Sequence, residues 1–160
     1  MTVKLDKTAL RVELLAQLTA QLATAQAAHA AAIEGATHAE AKPENDKDTR
    51  GLEQSYLARG QAQRVADLEA AVAGVTKLTV RAFKSTDPVA ISAVITVDED
   101  GTEHLFFLVP HGGGNVLAGG IQVVTPSSPL GSALLGKRID DALEIKLPGK
   151  TRSLVIAAIA

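Results

Sequence analysis

Four carboxylates crowd one charged stretch, "EAKPENDKD": Glu40, Glu44, Asp46 and Asp48. Carboxylate oxygens are hard ligands suited to Mg²⁺, which takes one or two of them and fills its remaining positions with waters and phosphate oxygens. Lys42 and Lys47 dilute the charge, and so polar a segment stays open to solvent. It cannot enclose a metal by itself. Two uses remain for it. The acids can sit at the start of a helix, where negative charge opposes the positive end of the helix dipole. Alternatively, they can be lent to a metal that another macromolecule holds.

Other patterns that could do chemistry carry less. His29, His38, His104 and His111 are scattered with no ligand spacing between them, and the chain has no cysteine, so a zinc site has no support. No Gly-x-Ser-x-Gly context accompanies the serines. The glycine-rich "HGGGNVLAGG" (111–120) invites a phosphate-loop reading, because backbone N–H groups of such loops cradle anions. No GK[ST] follows it and no strand–GxGxxG–helix unit contains it, so a flexible loop between two strands is the better account.

The acidic stretch must be positioned by what flanks it. Residues 8 to about 75 are rich in Ala, Leu, Gln and Glu, good helix formers. Leu15, Leu18, Leu22, Ala25, His29 and Ala32 recur at alternating intervals of three and four, the seam of a coiled coil. Gly35 predicts the end of the first helix. Pro43, tolerated in a first helical turn, predicts the start of a second helix that runs to about Val72. Gln54, Ala58, Gln61, Val65, Leu68, Val72 and Val75 form its seam, apolar at the base and thin near the turn. Two helices joined by a short turn run antiparallel, here as a finger of roughly 40 Å with the acids at its end. Arg50 and Arg64 fall on one face of the second helix, roughly 21 Å apart, and make a weak candidate for contact with a nucleic-acid backbone.

After residue 76 the period becomes two. "KLTVRAF" (77–83), "AISAVITV" (90–97), "EHLFFLV" (103–109), "IQVV" (121–124), "ALEIKL" and "RSLVIAAI" read as strands, "DEDG" (98–101) as a hairpin turn, and "SPLGSALLG" (128–136) as a short helix. The expected fold class is therefore α+β. An antiparallel coiled-coil hairpin (1–75) precedes an antiparallel sheet carrying one helix (76–160), and the junction lies at Ala73–Thr76.

Composition narrows the functions. The formal net charge is −2, so no basic surface drives non-specific binding to duplex DNA. Three Phe, one Tyr and no Trp are too few for a protein that grips single strands by stacking. They also supply a poor lining for a prolyl-isomerase or peptide-binding cleft. Residues 14–33 carry no formal charge, but Gln17, Gln21, Gln26 and His29 are spread around every face, which argues against a membrane span. The charged N-terminal residues lack the apolar run of a secretory signal, and the expected compartment is the cytoplasm.

"SSPLGSALLGKRIDDALEIKLPGK" (127–150) resembles a signature segment of the bacterial Gre family of transcript-cleavage factors. "QRVADLEAAV" (63–72) is similar to the end of that family's second coiled-coil helix, and Glu44-Asn45 to its tip. The resemblance spans nearly the whole chain. It implies an FKBP-like C-terminal domain that docks at the rim of the RNA polymerase secondary channel, with Ser128, Pro129 and Leu130 as the contacting segment. It implies that the coiled coil enters the channel and that Glu40 and Glu44, with Asp46 and Asp48 in reserve, help hold a Mg²⁺ shared with the polymerase active centre. The polymerase then hydrolyses the 3′ end of backtracked RNA. On this reading the protein is a monomer, has no cofactor of its own and is no enzyme alone. In the family the tip acids stand three apart. Here Glu40 and Glu44 stand four apart, with Pro43 between them. A regulator of the same fold that occupies the channel without aiding cleavage therefore stays open as the alternative.

Overall fold

The computed structural model describes residues 5–40 and 47–160, and for 36, 38–40 and 47–51 the backbone alone. The chain divides into two units. One gathers the residues up to Leu15 with Gly74–Ala160, and the other is Ala16–Ala73.

Helix α1 spans Lys7–Glu40 and α2 spans Lys47–Thr76. Asp6 begins α1, its carboxylate accepting from the Ala9 N–H at 3.1 Å and its carbonyl from the Leu10 N–H. Gly35 does not end α1. The helix runs through it to Glu40, and the tip of the Gln54 side chain lies against the glycine, with Oε1 2.8 Å from where a Cβ would stand. Pro43 and its neighbours at 41–46 lie outside the described residues, and α2 is helical from Lys47. Ala73–Thr76, expected as a junction, are helical as the end of α2, and the division between the two units falls there, between Ala73 and Gly74.

Within Ala16–Ala73 the two helices pair through a seam of small and amide side chains. Leu18, Ala25 and Ala32 of α1 are buried, as are Leu68 and Ala71 of α2, while Gln54, Ala58, Gln61 and Val65 are half-buried. Gly35 meets Gln54, whereas Ala20, Thr24 and Ala28 share a groove with Gln61 and Arg64. Positions rising along α1 thus meet positions falling along α2, and the pair is antiparallel. The expected seam needs one correction at its base, where Leu14 is fully buried and Leu15 only partly. Leu14 is drawn in by the glycine-rich loop, where a Cβ on Gly112 would come 2.9 Å from its Cδ1.

The C-terminal unit is built on six strands: β1 (Val94–Glu99), β2 (Thr102–Leu108), β3 (Val116–Leu117), β4 (Ile121–Val124), β5 (Ala142–Leu147) and β6 (Lys150–Ile159). Helix α3 (Pro129–Leu134) lies between β4 and β5 in sequence. The strand order is β3-β4-β2-β1-β6-β5. The sheet is mixed rather than wholly antiparallel, because β4 runs parallel to β2. The physical reason is the connection. Residues 109–120 form a long crossover that returns the chain to the same end of the sheet, which a tight hairpin cannot do. Both tight turns have the chemistry their sequences predict. Asp100 and Gly101 each have positive φ (52° and 84°) between the paired Glu99 and Thr102, as a two-residue hairpin loop requires. Pro148-Gly149 joins the paired Leu147 and Lys150, with Gly149 at φ 81°.

Residues 77–83 are not a strand. The alternation in "KLTVRAF" is real, since Leu78 is buried and Phe83 half-buried, but this backbone joins no strand. Its hydrogen bonds go elsewhere, the Arg81 N–H to Ser92 Oγ (3.1 Å) and the Leu78 carbonyl to the Arg11 guanidinium (2.8 Å). The core lies on both faces of β2. Phe106 and Leu108 pack with Ile95, Val97, Leu154, Ile156 and the α3 residue Leu134, while Phe107 and Val109 are equally buried on the opposite face.

Among the described residues no helix is long and apolar enough to cross a membrane. Lys7, 8% exposed, donates from Nζ to the Ala160 carbonyl at 3.0 Å. Burial first, then the charge of Arg81, lower its pKa from 10.5 to about 8. Across that window the unfolded chain binds a proton that the folded chain has released, so stability rises with pH. Urea unfolding should show the wild type gaining on the order of 2 kcal/mol over Lys7→Met as pH is raised through the window. Gly35→Ala has the opposite logic to a packing defect. Gln54 can swing its amide aside, and the gain in helix propensity should raise the unfolding free energy by up to about 1 kcal/mol.

Candidate functional site

The acidic stretch occupies the connection between the paired helices. Glu40 closes α1, and Asp48 is the second residue of α2. Only the backbone of these two is described, and Glu44 and Asp46 lie outside the described residues. Glu40 and Asp48 thus stand at the facing ends of two antiparallel helices. Arg50 likewise has only its helical backbone described. Arg64 is exposed and borders a shallow groove of about 440 Å³ with Gln61 and Thr24. Arg59 turns to another face, its guanidinium 5.3 Å from the centre of the Tyr56 ring.

The second candidate, Ser128–Leu130, is built with more local precision. Ser128 is the N-cap of α3: its Oγ accepts from the Gly131 N–H at 3.0 Å and donates to the Thr125 carbonyl at 2.8 Å. Pro129 takes the first helical position, where its missing N–H costs nothing, and it is exposed. Leu130 is half-buried against the sheet core, so its side chain supports the helix as well as lining the surface. Leu135, just beyond α3, is 45% exposed and adds an apolar side chain at the end of that segment. Gly131 is the residue that sequence reading missed. A Cβ there would fall 1.9 Å from the Thr125 carbonyl oxygen, so the loop and helix can close on each other only with glycine. The spacing "TPSSPLG" offers the capping serine as a signal but not this contact.

Several N–H groups of the glycine-rich loop are spent on the chain itself. The Ala118 N–H donates to both carboxylate oxygens of Glu13 (2.9 and 3.1 Å), Gly114 N–H to the Val123 carbonyl, and Asn115 N–H to the Gly112 carbonyl. His111 packs on Gly74, where a Cβ would lie 2.3 Å from its Cδ2. The loop is tied to the base of α1 and the end of α2. On the sheet, Arg152 grips Glu99 through two hydrogen bonds (2.7 and 3.1 Å), and His104 approaches at 3.6 Å. Those hydrogen bonds hold the Glu99 carboxyl below its ordinary pKa and raise that of Arg152, a cross-strand clamp between β1 and β6. Among the described residues no group of three or more His, Cys, Asp or Glu is gathered as a metal site.

The family model described as "Transcription elongation factor, GreA/GreB, C-term" matches residues 84–160. Transcription elongation factor GreA of Mesorhizobium japonicum is 34% identical over 120 residues, 72% of this chain and 71% of that protein. GreA of Rhodospirillum rubrum is 31% identical over 113 residues, 68% of this chain and 66% of its own. Among solved structures, GreA factor homolog 1 (Gfh1) of Thermus thermophilus aligns over 91% of this chain and 94% of its own, at a TM-score of 0.41 and 20% identity.

The capping geometry sets a graded expectation for α3. Ser128→Ala should lower the unfolding free energy by about 1 kcal/mol, and Gly131→Ala by about 3 kcal/mol, since backbone rather than a side-chain tip must move. Denaturant titrations of the two variants check the order.

Proposed function

Because the chain belongs to the GreA/GreB family of transcription elongation factors, we propose that it binds bacterial RNA polymerase and makes the polymerase cleave its own backtracked transcript. The Ser128–Leu130 segment docks on the polymerase at the rim of its secondary channel. The turn between α1 and α2 carries Glu40 and Glu44 to the active centre, with Asp46 and Asp48 beside them. What supports this most is that the acids fall in sequence between two helices that pair antiparallel, Glu40 as the last residue of α1 and Asp48 as the second of α2. The donor set fits Mg²⁺, being carboxylate throughout. A Mg²⁺ shared with the polymerase supplies Lewis acidity and clamps the attacking and leaving oxygens of the displacement. The chain's own part is to lend negative charge and to orient a water toward the RNA phosphate. It has no nuclease of its own on this reading, acts as a monomer without a cofactor of its own, touches the RNA 3′ end only through the polymerase, and works in the cytoplasm.

One observation favours a second reading. Glu40 and Glu44 stand four residues apart with Pro43 between them, and an error of about 1 Å in placing a catalytic group can cost on the order of 100-fold in rate. A tip in that register would enter the channel and modulate the polymerase without promoting cleavage. Adding purified protein to a stalled, backtracked elongation complex separates the two. Shortened RNA, lost on the order of 100-fold in Glu44→Ala, supports cleavage. Displacement of a cleavage-active factor with no shortening supports the regulator. If neither shortening nor displacement is seen, both readings fall.

A further inference from the structure

We propose that strand β5 is a pairing edge for a second copy of this chain, and that two β5 strands meet antiparallel about a twofold axis at Ile145. The strand order ends at β3 on one side and at β5 on the other. A sheet edge presents N–H and C=O groups that can pair with another chain, and a very short edge strand is one way of blunting it. β3 has two residues and is blunted in that way, whereas β5 has six.

The phase of the hydrogen bonds decides what the edge offers. Leu147 and Lys150 close the Pro148-Gly149 turn, and the pair that closes a two-residue loop exchanges both backbone hydrogen bonds. Counting back by twos, Ile145 and Leu143 also spend their N–H and C=O on β6, at Arg152 and Leu154. The N–H and C=O of Ala142, Glu144 and Lys146 therefore point away from β6, toward the open edge. Among the described residues β5 pairs with β6 alone.

The side chains select a register. Glu144 and Lys146 are exposed on one face of the strand, and among the described residues neither forms an ion pair within the chain. With Ile145 opposite Ile145, Glu144 of each copy stands opposite Lys146 of the other. Both positions face the edge, so the same two pairs exchange backbone hydrogen bonds and oppose unlike charges. A slide of one residue sets edge-facing groups against groups already spent on β6. A slide of two sets Glu144 against Glu144 or Lys146 against Lys146, and like charges directly opposite are destabilising. On the other face Leu143 meets Leu147, whose half-buried side chain gains cover. Pro148, without an N–H, ends the ladder at each side. Charged residues on an edge ordinarily guard it against indiscriminate pairing; here their alternation in sign makes it self-complementary. A six-residue edge buries little surface, so the pairing is weak and reversible. The monomer proposed to act on polymerase is the dissociated form, and neither reading depends on the other.

Sedimentation equilibrium of the full chain from about 10 µM to about 1 mM tests the pairing. A monomer–dimer equilibrium is expected, with amide exchange at 144 and 146 slowing as the concentration rises. Glu144→Lys and Lys146→Glu each oppose like charges at both pairs and should weaken dimerisation roughly tenfold or more. An equimolar mixture of the two variants restores unlike charges at both pairs, as does the double exchange in one chain, and both should dimerise like the wild type. The two positions are exposed, so the unfolding midpoints should stay close to that of the wild type. A wild type that stays monomeric throughout, exchange at 144 and 146 that ignores concentration, single variants that dimerise undiminished, or a mixture that recovers no dimer overturns the proposal.

Discussion

Strand β2 is buried on both faces, and the C-terminal unit is organised around that constraint. A strand with one wet face alternates; the run Phe106-Phe107-Leu108-Val109 does not, and all four side chains are buried. Phe106 and Leu108 need cover from one side, which α3 provides through Leu134, Leu130 and Ala133. Phe107 and Val109 need cover from the other, in a unit that also recruits the first turns of α1, with Leu10 and Leu14 buried. The capped entry into α3 and the clasp of the glycine-rich loop on Glu13 and Leu14 are the devices that bring those covers into place. The Ser128–Leu130 segment is thus tied to the core: the same serine that starts the helix also fixes the loop before it.

The helix pair follows different physics. Its seam is made of Ala, Gly and Gln near the turn, so it buries little apolar surface there and relies on close approach, as at Gly35 and Gln54. Such a seam suits a segment that must be slender and polar outside more than one that must be stable alone.

Much of this was legible in the chain. Period three-four before residue 76 and period two after it separated the helices from the sheet. Asp-Gly and Pro-Gly placed two turns, and Ser128-Pro129 with Gly136 bounded α3. The errors share one cause, a local signal overruled by a distant contact. Gly35 reads as a stop and is instead a point of close helix contact. "KLTVRAF" alternates like a strand, but its backbone finds Ser92 and Arg11 instead of a neighbour. The parallel pairing of β4 with β2 depends on how a glycine-rich crossover returns, which no window of the sequence displays.

The order of the two long helices and the main strands, the two tight turns, the cap of α3, and the position of the carboxylates between two helices in the chain were readable locally, because each rests on interactions within a few residues. Which distant groups meet is settled by the fold as a whole. Gly131 closes on the Thr125 carbonyl, Gly74 admits His111, and Lys7 and Arg81 share one phenyl ring although 74 positions separate them. Those meetings depend on chain paths through the whole unit, and local periodicity carries no record of them.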